Sequence, residues 1–177
     1  VRLEFLLSDA RADLIAERID VAFRAGTLAD SSYVGRPILA DNRDVLGASP
    51  GYLQARGRPL RLDELPQHDC LGIPHPSGHV SWTLVGPSGL AETVQVPTRF
   101  AANTARALRL AAVAGLGIAL LPQALTWPDV AEGRLVTVLP DFQRNGQGVH
   151  ALYPSRRHQP RAVTAFIEAV SARLNAM

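Results

Sequence analysis

Five histidines, one cysteine and a serine that precedes a glycine are the side chains of this sequence best suited to chemistry. The histidines are His68, His75, His79, His150 and His158. His75 and His79 stand four residues apart, a spacing that on a helix brings two imidazoles to one face and lets them share a metal ion. Pro74, Pro76 and Gly78 forbid a helix there, because proline lacks an amide donor and its ring collides with the preceding turn. No metal site is expected. Ser77 lies between the two histidines, but closeness in sequence does not make a hydrogen-bonded nucleophile and base. Gly115-Leu116-Gly117 lacks the third glycine of a dinucleotide fingerprint and follows a helical pattern, where the fingerprint follows a strand. Cys70 is alone, so no disulfide within the chain and no thiolate metal cluster can form. The residues point to no catalytic constellation and no cofactor.

Binding chemistry remains. The amino end of a helix presents free amide donors and a partial positive charge, which suit a small anion. Ser49 followed by Pro50 is one strong helix start, and Asn103 reads as the cap of another. Arg24 closes a short strand and can add a full charge. Together these predict a small organic anion as ligand, with its negative group near both capped helix starts. Each cap can equally do no more than stabilise its own helix, by about 1 kcal/mol, and Arg24 can equally be an ordinary surface arginine.

The elements that must position these residues alternate between two periods. Residues 1–7 alternate and are rich in large apolar side chains, which suits a strand, and Ser8 or Asp9 then offers a cap for a helix reaching Arg18. Strands follow at residues 20–24, 33–40 and 43–48, and the helix begun at Ser49 ends at Gly57. A turn at residues 62–65 leads to an extended stretch at 69–73. Prolines and glycines then punctuate a loop-rich region holding Trp82-Thr83-Leu84-Val85, where short antiparallel strands are expected. The helix begun at Asn103 carries Leu108, Leu110, Ala111 and Ala114 and stops at Gly115. Gly117 to Pro122 reads as a buried parallel strand. Further strands are expected at 134–139 and 149–153. A last helix starts at Pro160 and sets Val163, Phe166, Ile167, Val170 and Leu174 on one face.

Alternating strands and helices predict an α/β fold with largely parallel sheets. The length suits two small α/β lobes, with the chain crossing between them near Ser49 and again near Pro140. There is no internal repeat and no low-complexity linker. Nearly half of the residues are apolar (47%), enough for a sizeable core. Every apolar run is broken well short of the roughly 20 residues that a membrane helix needs. The chain opens on Val1-Arg2-Leu3-Glu4-Phe5, without a methionine or a secretory pattern, and is expected to be a piece of a longer protein. All basic residues are arginines, they are scattered, and the net charge is only +2, so no nucleic-acid-binding surface is expected. The lone cysteine fits a reducing cytoplasm.

Several stretches, in order, resemble the regulatory domain of LysR-type transcriptional regulators. They include Asp20-Val21-Ala22-Phe23-Arg24-Ala25-Gly26, Leu28-Ala29-Asp30-Ser31-Ser32, Ala48-Ser49-Pro50-Gly51-Tyr52-Leu53 and His68-Asp69-Cys70-Leu71. Trp82-Thr83-Leu84, the run from Ala114 to Pro122 and Leu152-Tyr153-Pro154-Ser155-Arg156-Arg157 complete the likeness, which covers almost the whole chain. The resemblance implies a two-lobed fold like that of type 2 periplasmic binding proteins, lacking its first strand and helix. Subdomain I would be built from residues 1–50 and 141–177, and subdomain II from residues 51–140. It implies a small-molecule effector in the cleft, with Phe23, Arg24, Ser49, Asn103 and Thr104 matching positions at or near it. It also implies DNA contact only through a winged helix-turn-helix outside this sequence, and a homodimer or homotetramer of the intact protein. A solute-binding protein of a transporter would have the same lobes, and an enzyme on this architecture is a third possibility. The Leu-x-Asp-Ser and Ser-Arg-Arg segments favour the regulator.

Overall fold

The structure is a computed structural model that describes residues 2–7, 13–26, 33–40, 42–146, 148–154 and 160–175. It divides into two compact units, one of residues 1–42 with 147–177 and one of residues 43–146. Both mix helices and strands, as the alternating periods predict. The pairing differs from the expected largely parallel sheets. Among the described strands, only the short one at Cys70–Gly72 has parallel neighbours, and every other pairing is antiparallel.

The first unit is built on a three-stranded antiparallel sheet. Its strands are β1 (Ala22–Ala25), β2 (Val34–Leu39) and β9 (Val149–Tyr153), in the order β1-β9-β2. The C-terminal helix α4 (Arg161–Asn175) packs on it through the face predicted from the sequence: Val163, Ile167, Val170 and Leu174 join Ile38, Ala151, Val149 and Tyr153 in one core. Asn175 Nδ2 donates to the carbonyl of Ile38 at 2.8 Å and ties the helix end to β2.

Two expectations fail here. Residues 2–7 form no strand, and Phe5, Leu6 and Leu7 are exposed. Apolar alternation supplies one face of a strand, but a strand exists only when a neighbour takes up its amides and carbonyls. No described residue does so. Of the helix expected over residues 8–18, the first five residues lie outside the described ones, and residues 14–18 form a turn. Asp13 caps that turn, accepting from the amides of Ile15 and Ala16 at 3.0 and 3.1 Å.

The second unit holds β3 (Asp44–Ala48), α1 (Pro50–Arg56), a 3-10 turn at Leu62–Gln67, β4 (Cys70–Gly72), β5 (His79–Val85) and β6 (Ala91–Ala101). It continues through α2 (Ala105–Val113), β7 (Ile118–Pro122), α3 (Gln123–Ala131) and β8 (Val136–Arg144). Its strands pair in the order β3-β7-β4-β6-β5-β8, and β8 closes the ring on β3. The helix α3 was not expected from the sequence. Pro128 lies inside it and argues against it, since proline brings no amide to the helical ladder. The end of α3 is nevertheless well closed. The amide of Glu132 donates to the carbonyl of Pro128 at 3.1 Å, and those of Arg134 and Leu135 both reach the carbonyl of Asp129.

Strand β7 shows why its run of apolar residues is unbroken. Side chains alternate along a strand, and Ile118 and Leu120 enter one core with Tyr52, Leu65, Trp82 and Val138. Ala119 and Leu121 enter the other, beneath Leu108, Ala111 and Ala112 of α2. Both faces are covered, so neither set can be polar.

Gly117 fixes where β7 begins. Its φ is +155°, and a Cβ there would lie 2.1 Å from the carbonyl oxygen of Asp69, the atom that accepts the amide of Ile118 at 2.9 Å. Strain and overpacking add, so Gly117→Ala is expected to cost about 2–4 kcal/mol. Gly51, in α1 with open space around it, provides the contrast: Gly51→Ala should stabilise by about 0.5–1 kcal/mol. Chemical denaturation of the two variants checks both, and equal effects would show that the backbone approach at Gly117 does not constrain the fold.

Candidate functional site

Strand register decides which of the residues picked out from the sequence share an edge. Strands β4 and β6 are parallel, with Gly72 opposite Ala101, and β7 is parallel to β4. The carboxyl ends of all three therefore reach one edge of the second unit. Asn103 and Thr104 lie on that edge, where the chain leaves β6 for α2 and the amide of Ala102 donates to the carbonyl of Gly72 at 3.1 Å. Strand β3 runs the other way, pairing Asp44 with Pro122 and Gly47 with Ala119, so Ser49 comes out at the opposite edge. There its Oγ sits 3.4 Å from where a Cβ on Gly115 would be, at the far end of α2. The nine residues of α2 span about 13 Å at 1.5 Å each. The two helix starts therefore do not converge on one negative group, contrary to the expectation from the caps alone.

The cap of α2 also moves by one residue. Thr104, with extended φ and ψ of −123° and 138°, is the N-cap, and its Oγ1 accepts the amide of Ala107 at 3.1 Å. Asn103 precedes it, is exposed, and its side chain makes no hydrogen bond among the described residues. Serine, threonine and asparagine are all good caps, so sequence alone could not choose between neighbours. With the cap at Thr104, a residue that sequence reasoning missed gains weight. Arg106 falls in the first turn of α2, where no acidic residue balances it. A cation at a helix amino end opposes the dipole, and an anion would relieve both.

Ser49 is buried and works as the N-cap of α1, accepting the amide of Tyr52 at 3.2 Å. Around it the structure is a fixed network. The Tyr52 hydroxyl accepts the amide of Asp69 at 2.8 Å and lies 3.2 Å from His68 Nδ1, to which it can donate when that nitrogen is bare. Burial, and then the nearby Arg56 guanidinium, push the His68 pKa down, which favours that neutral ring. The Asp69 carboxylate accepts from Arg99 at 3.0 Å and lies 3.7 Å from Arg56. Cys70 is fully buried, and burial pushes its thiol pKa up to about 12.

The position of α2 is held by a second network. Asp129, 1% exposed, accepts from Arg109 of α2 at 2.8 Å and from Arg134 Nε at 2.7 Å. It thereby joins α2, α3 and the approach to β8. A buried carboxylate needs such partners, since burial of an unpaired charge is strongly unfavourable.

Phe23 and Arg24 belong to the first unit, on β1. Neighbouring residues of a strand point to opposite faces. Phe23 packs edge-on against Phe166 of α4, with ring centroids 5.9 Å apart, so Arg24 lies on the other face, opposite His150 of β9.

The histidine loop is more ordered than its prolines and glycine predict. A turn closed by the amide of Gly78 on the carbonyl of His75 brings Ser77 Oγ to 2.7 Å from His75 Nδ1, while His79 Nδ1 donates to the carbonyl of Ser77 at 2.9 Å. The pairing that sequence proximity could not establish therefore exists, as an exposed turn in which no acidic group bonds the far nitrogen of His75. No group of three metal-binding side chains occurs among the described residues.

Comparison with known proteins places these features. A family model described as the LysR substrate binding domain matches residues 1–175. The HTH-type transcriptional regulator PtxR of Pseudomonas aeruginosa is 36% identical over 174 residues, covering 98% of this chain and 55% of that protein. The structure of the regulatory domain of CrgA, a LysR-type transcriptional regulator from Neisseria meningitidis, superposes with a TM-score of 0.78 at 30% identity, covering 94% of this chain and 81% of that one. The regulatory domain of AphB from Vibrio vulnificus, in a structure treated with cumene hydroperoxide, gives a TM-score of 0.69 at 36% identity, over 88% of this chain and 76% of that one. This chain spans about 55% of the length of PtxR. With a family match across nearly its whole length and relatives above 30% identity, the chain belongs to the LysR substrate-binding domain family.

Proposed function

We propose that the chain is the effector-sensing domain of a bacterial LysR-type transcriptional regulator. In this reading a small molecule bound by the domain changes how the whole protein, through a helix-turn-helix part, holds DNA in the cytoplasm as a homodimer or homotetramer. The observation that carries it is the family match over residues 1–175. Relatives across that span are transcriptional regulators, which favours this reading over a transporter's solute-binding protein and over an enzyme. No helix among the described residues is long and apolar enough to cross a membrane.

The two subdomains are residues 1–50 with 141–177 and residues 51–140. By this division strand β3 and the end of β8, which pair with each other, fall in the first subdomain, whereas by packing both belong to the second compact unit. On the second subdomain the effector contacts are Asn103 and Thr104, with Arg106 added, and on the first Arg24, with Phe23 behind it in the core under α4. Ser49 acts through α1 as a cap. The effector is a small organic anion. The exposed unpaired amide of Asn103, the free amides of the first turn of α2 and the unbalanced charge of Arg106 all favour a carboxylate at one edge.

A thermal-shift screen of the full-length regulator with carboxylates and their neutral amides tests this. An acid at ~100 times its dissociation constant should stabilise by roughly 2.7 kcal/mol, and equal shifts from acid and amide would remove the anion. Because Thr104 is the cap, Asn103→Ala should leave unliganded stability within about 0.5 kcal/mol while abolishing most of the acid's shift. Ser49→Ala should do the reverse, costing about 1 kcal/mol of stability with the shift retained.

A peroxide-treated AphB domain raises the question of thiol chemistry in this chain. The thiolate is the reactive form, and Cys70 is buried with its pKa pushed up to about 12, its Sγ 3.5 Å from the carbonyl of Leu65. The native domain at pH 8 should therefore give no reaction of this thiol with Ellman's reagent, and one equivalent once unfolded in guanidinium. Rapid reaction of the native domain would place Cys70 among accessible thiols.

A further inference from the structure

His68 stands between the 3-10 turn and β4, and its ring meets α1 through the Tyr52 hydroxyl, 3.2 Å from Nδ1. That hydroxyl has one proton to give and two lone pairs to receive. The amide of Asp69 occupies one lone pair at 2.8 Å, and the Arg56 guanidinium faces the same oxygen as a further donor. The hydroxyl proton therefore goes to a bare Nδ1, the acceptor within its reach among the described residues. Around the ring stand Tyr52 and Arg56 of α1, Glu64 of the 3-10 turn and Asp69, whose carboxylate also meets Arg99 of β6.

We propose that His68 and Tyr52 form a proton-sensitive latch that holds α1 to the start of β4, closed while the ring is neutral and opened by mild acid. A proton on Nδ1 turns the acceptor into a donor. The buried Tyr52 hydroxyl then faces donors alone, its own proton has no acceptor, and the imidazolium adds a like charge beside Arg56. A buried group left without its bond is the costly outcome. Release of Tyr52 frees the amide of Asp69, the residue whose carbonyl receives Ile118 at the start of β7. Mild acid thus acts on the junction that sets β7 beside β4. Burial, and then Arg56, hold the His68 pKa below its ordinary 6.5 against the opposing pull of Glu64 and Asp69. The contribution of the neutral ring is accordingly whole above pH 6.5 and is lost as the pH falls through the folded value.

Amide hydrogen exchange of the full-length regulator, read peptide by peptide and corrected for the chemical rate at each pH, tests the latch without any ligand. Between pH 7.5 and pH 5.0 the peptide holding Asp69 should lose protection by roughly threefold to tenfold, as the opening of one hydrogen bond implies. Peptides of β5 and β6 that do not contain Arg99 should keep theirs. His68→Gln offers an amide oxygen to the same hydroxyl but does not titrate, and should retain at pH 5.0 the protection it has at pH 7.5. Tyr52→Phe should show the reduced protection at both pH values. Unchanged protection at Asp69 in the wild-type protein overturns the proposal, as does an equal loss in His68→Gln or in the β5 and β6 peptides. A pH dependence that persists in Tyr52→Phe overturns it as well, because the hydroxyl is then not the bond that acid breaks.

Discussion

The second unit depends on the approach of two backbones at one point, where the carbonyl of Asp69 meets Gly117. That carbonyl accepts the amide of Ile118, and no side chain fits between the two segments. The contact starts β7 beside β4 and makes them parallel, with Cys70 opposite Ile118 and Leu71 opposite Ala119. Asp69 is held from its other sides as well. Its amide donates to Tyr52, and its carboxylate is paired with Arg99 and approached by Arg56. Once β4 and β7 are set side by side, the carboxyl ends of β4, β6 and β7 share an edge, and Asn103 and Thr104 are delivered to it.

The two charged networks of this unit serve that geometry in different ways. The network at Asp69 is largely exposed on its arginine side, with side-chain exposures of 52% and 67% for Arg56 and Arg99. Pairs of this kind contribute little energy by themselves, about 0–1 kcal/mol, and here they orient a loop already fixed by backbone bonds. Asp129 is different because it is buried between two arginines. Loss of either partner would leave charge without compensation in a dry place, so the triad specifies where α2 sits relative to α3. The amino end of α2 inherits that placement.

The first unit shows the same economy on a smaller scale. One face of its sheet is closed by α4 through Phe23, Ile38, Ala151 and Ile167. The other carries Arg24 and His150, a cation and an unpaired nitrogen.

Much of this was legible in the sequence because it is decided locally. The face of α4, the Pro50 start of α1, the glycine stop of α2 and the double-sided burial of β7 all follow from periodicity, capping and backbone freedom within a few residues. The ordered motifs from Ala48 to Leu53 and from Ala114 to Pro122 identified the family, since their glycines and caps record contacts that the fold requires. Strand direction was not legible. No local feature tells that β3 runs against β7, and so the sequence could not show that Ser49 and Asn103 lie at opposite ends of α2. The same limit hid α3, the strandless state of residues 2–7 and the Asp129 triad. In each case the outcome depends on a partner distant in the chain, whose hydrogen bonds, charge or absence is settled only when the backbone has closed.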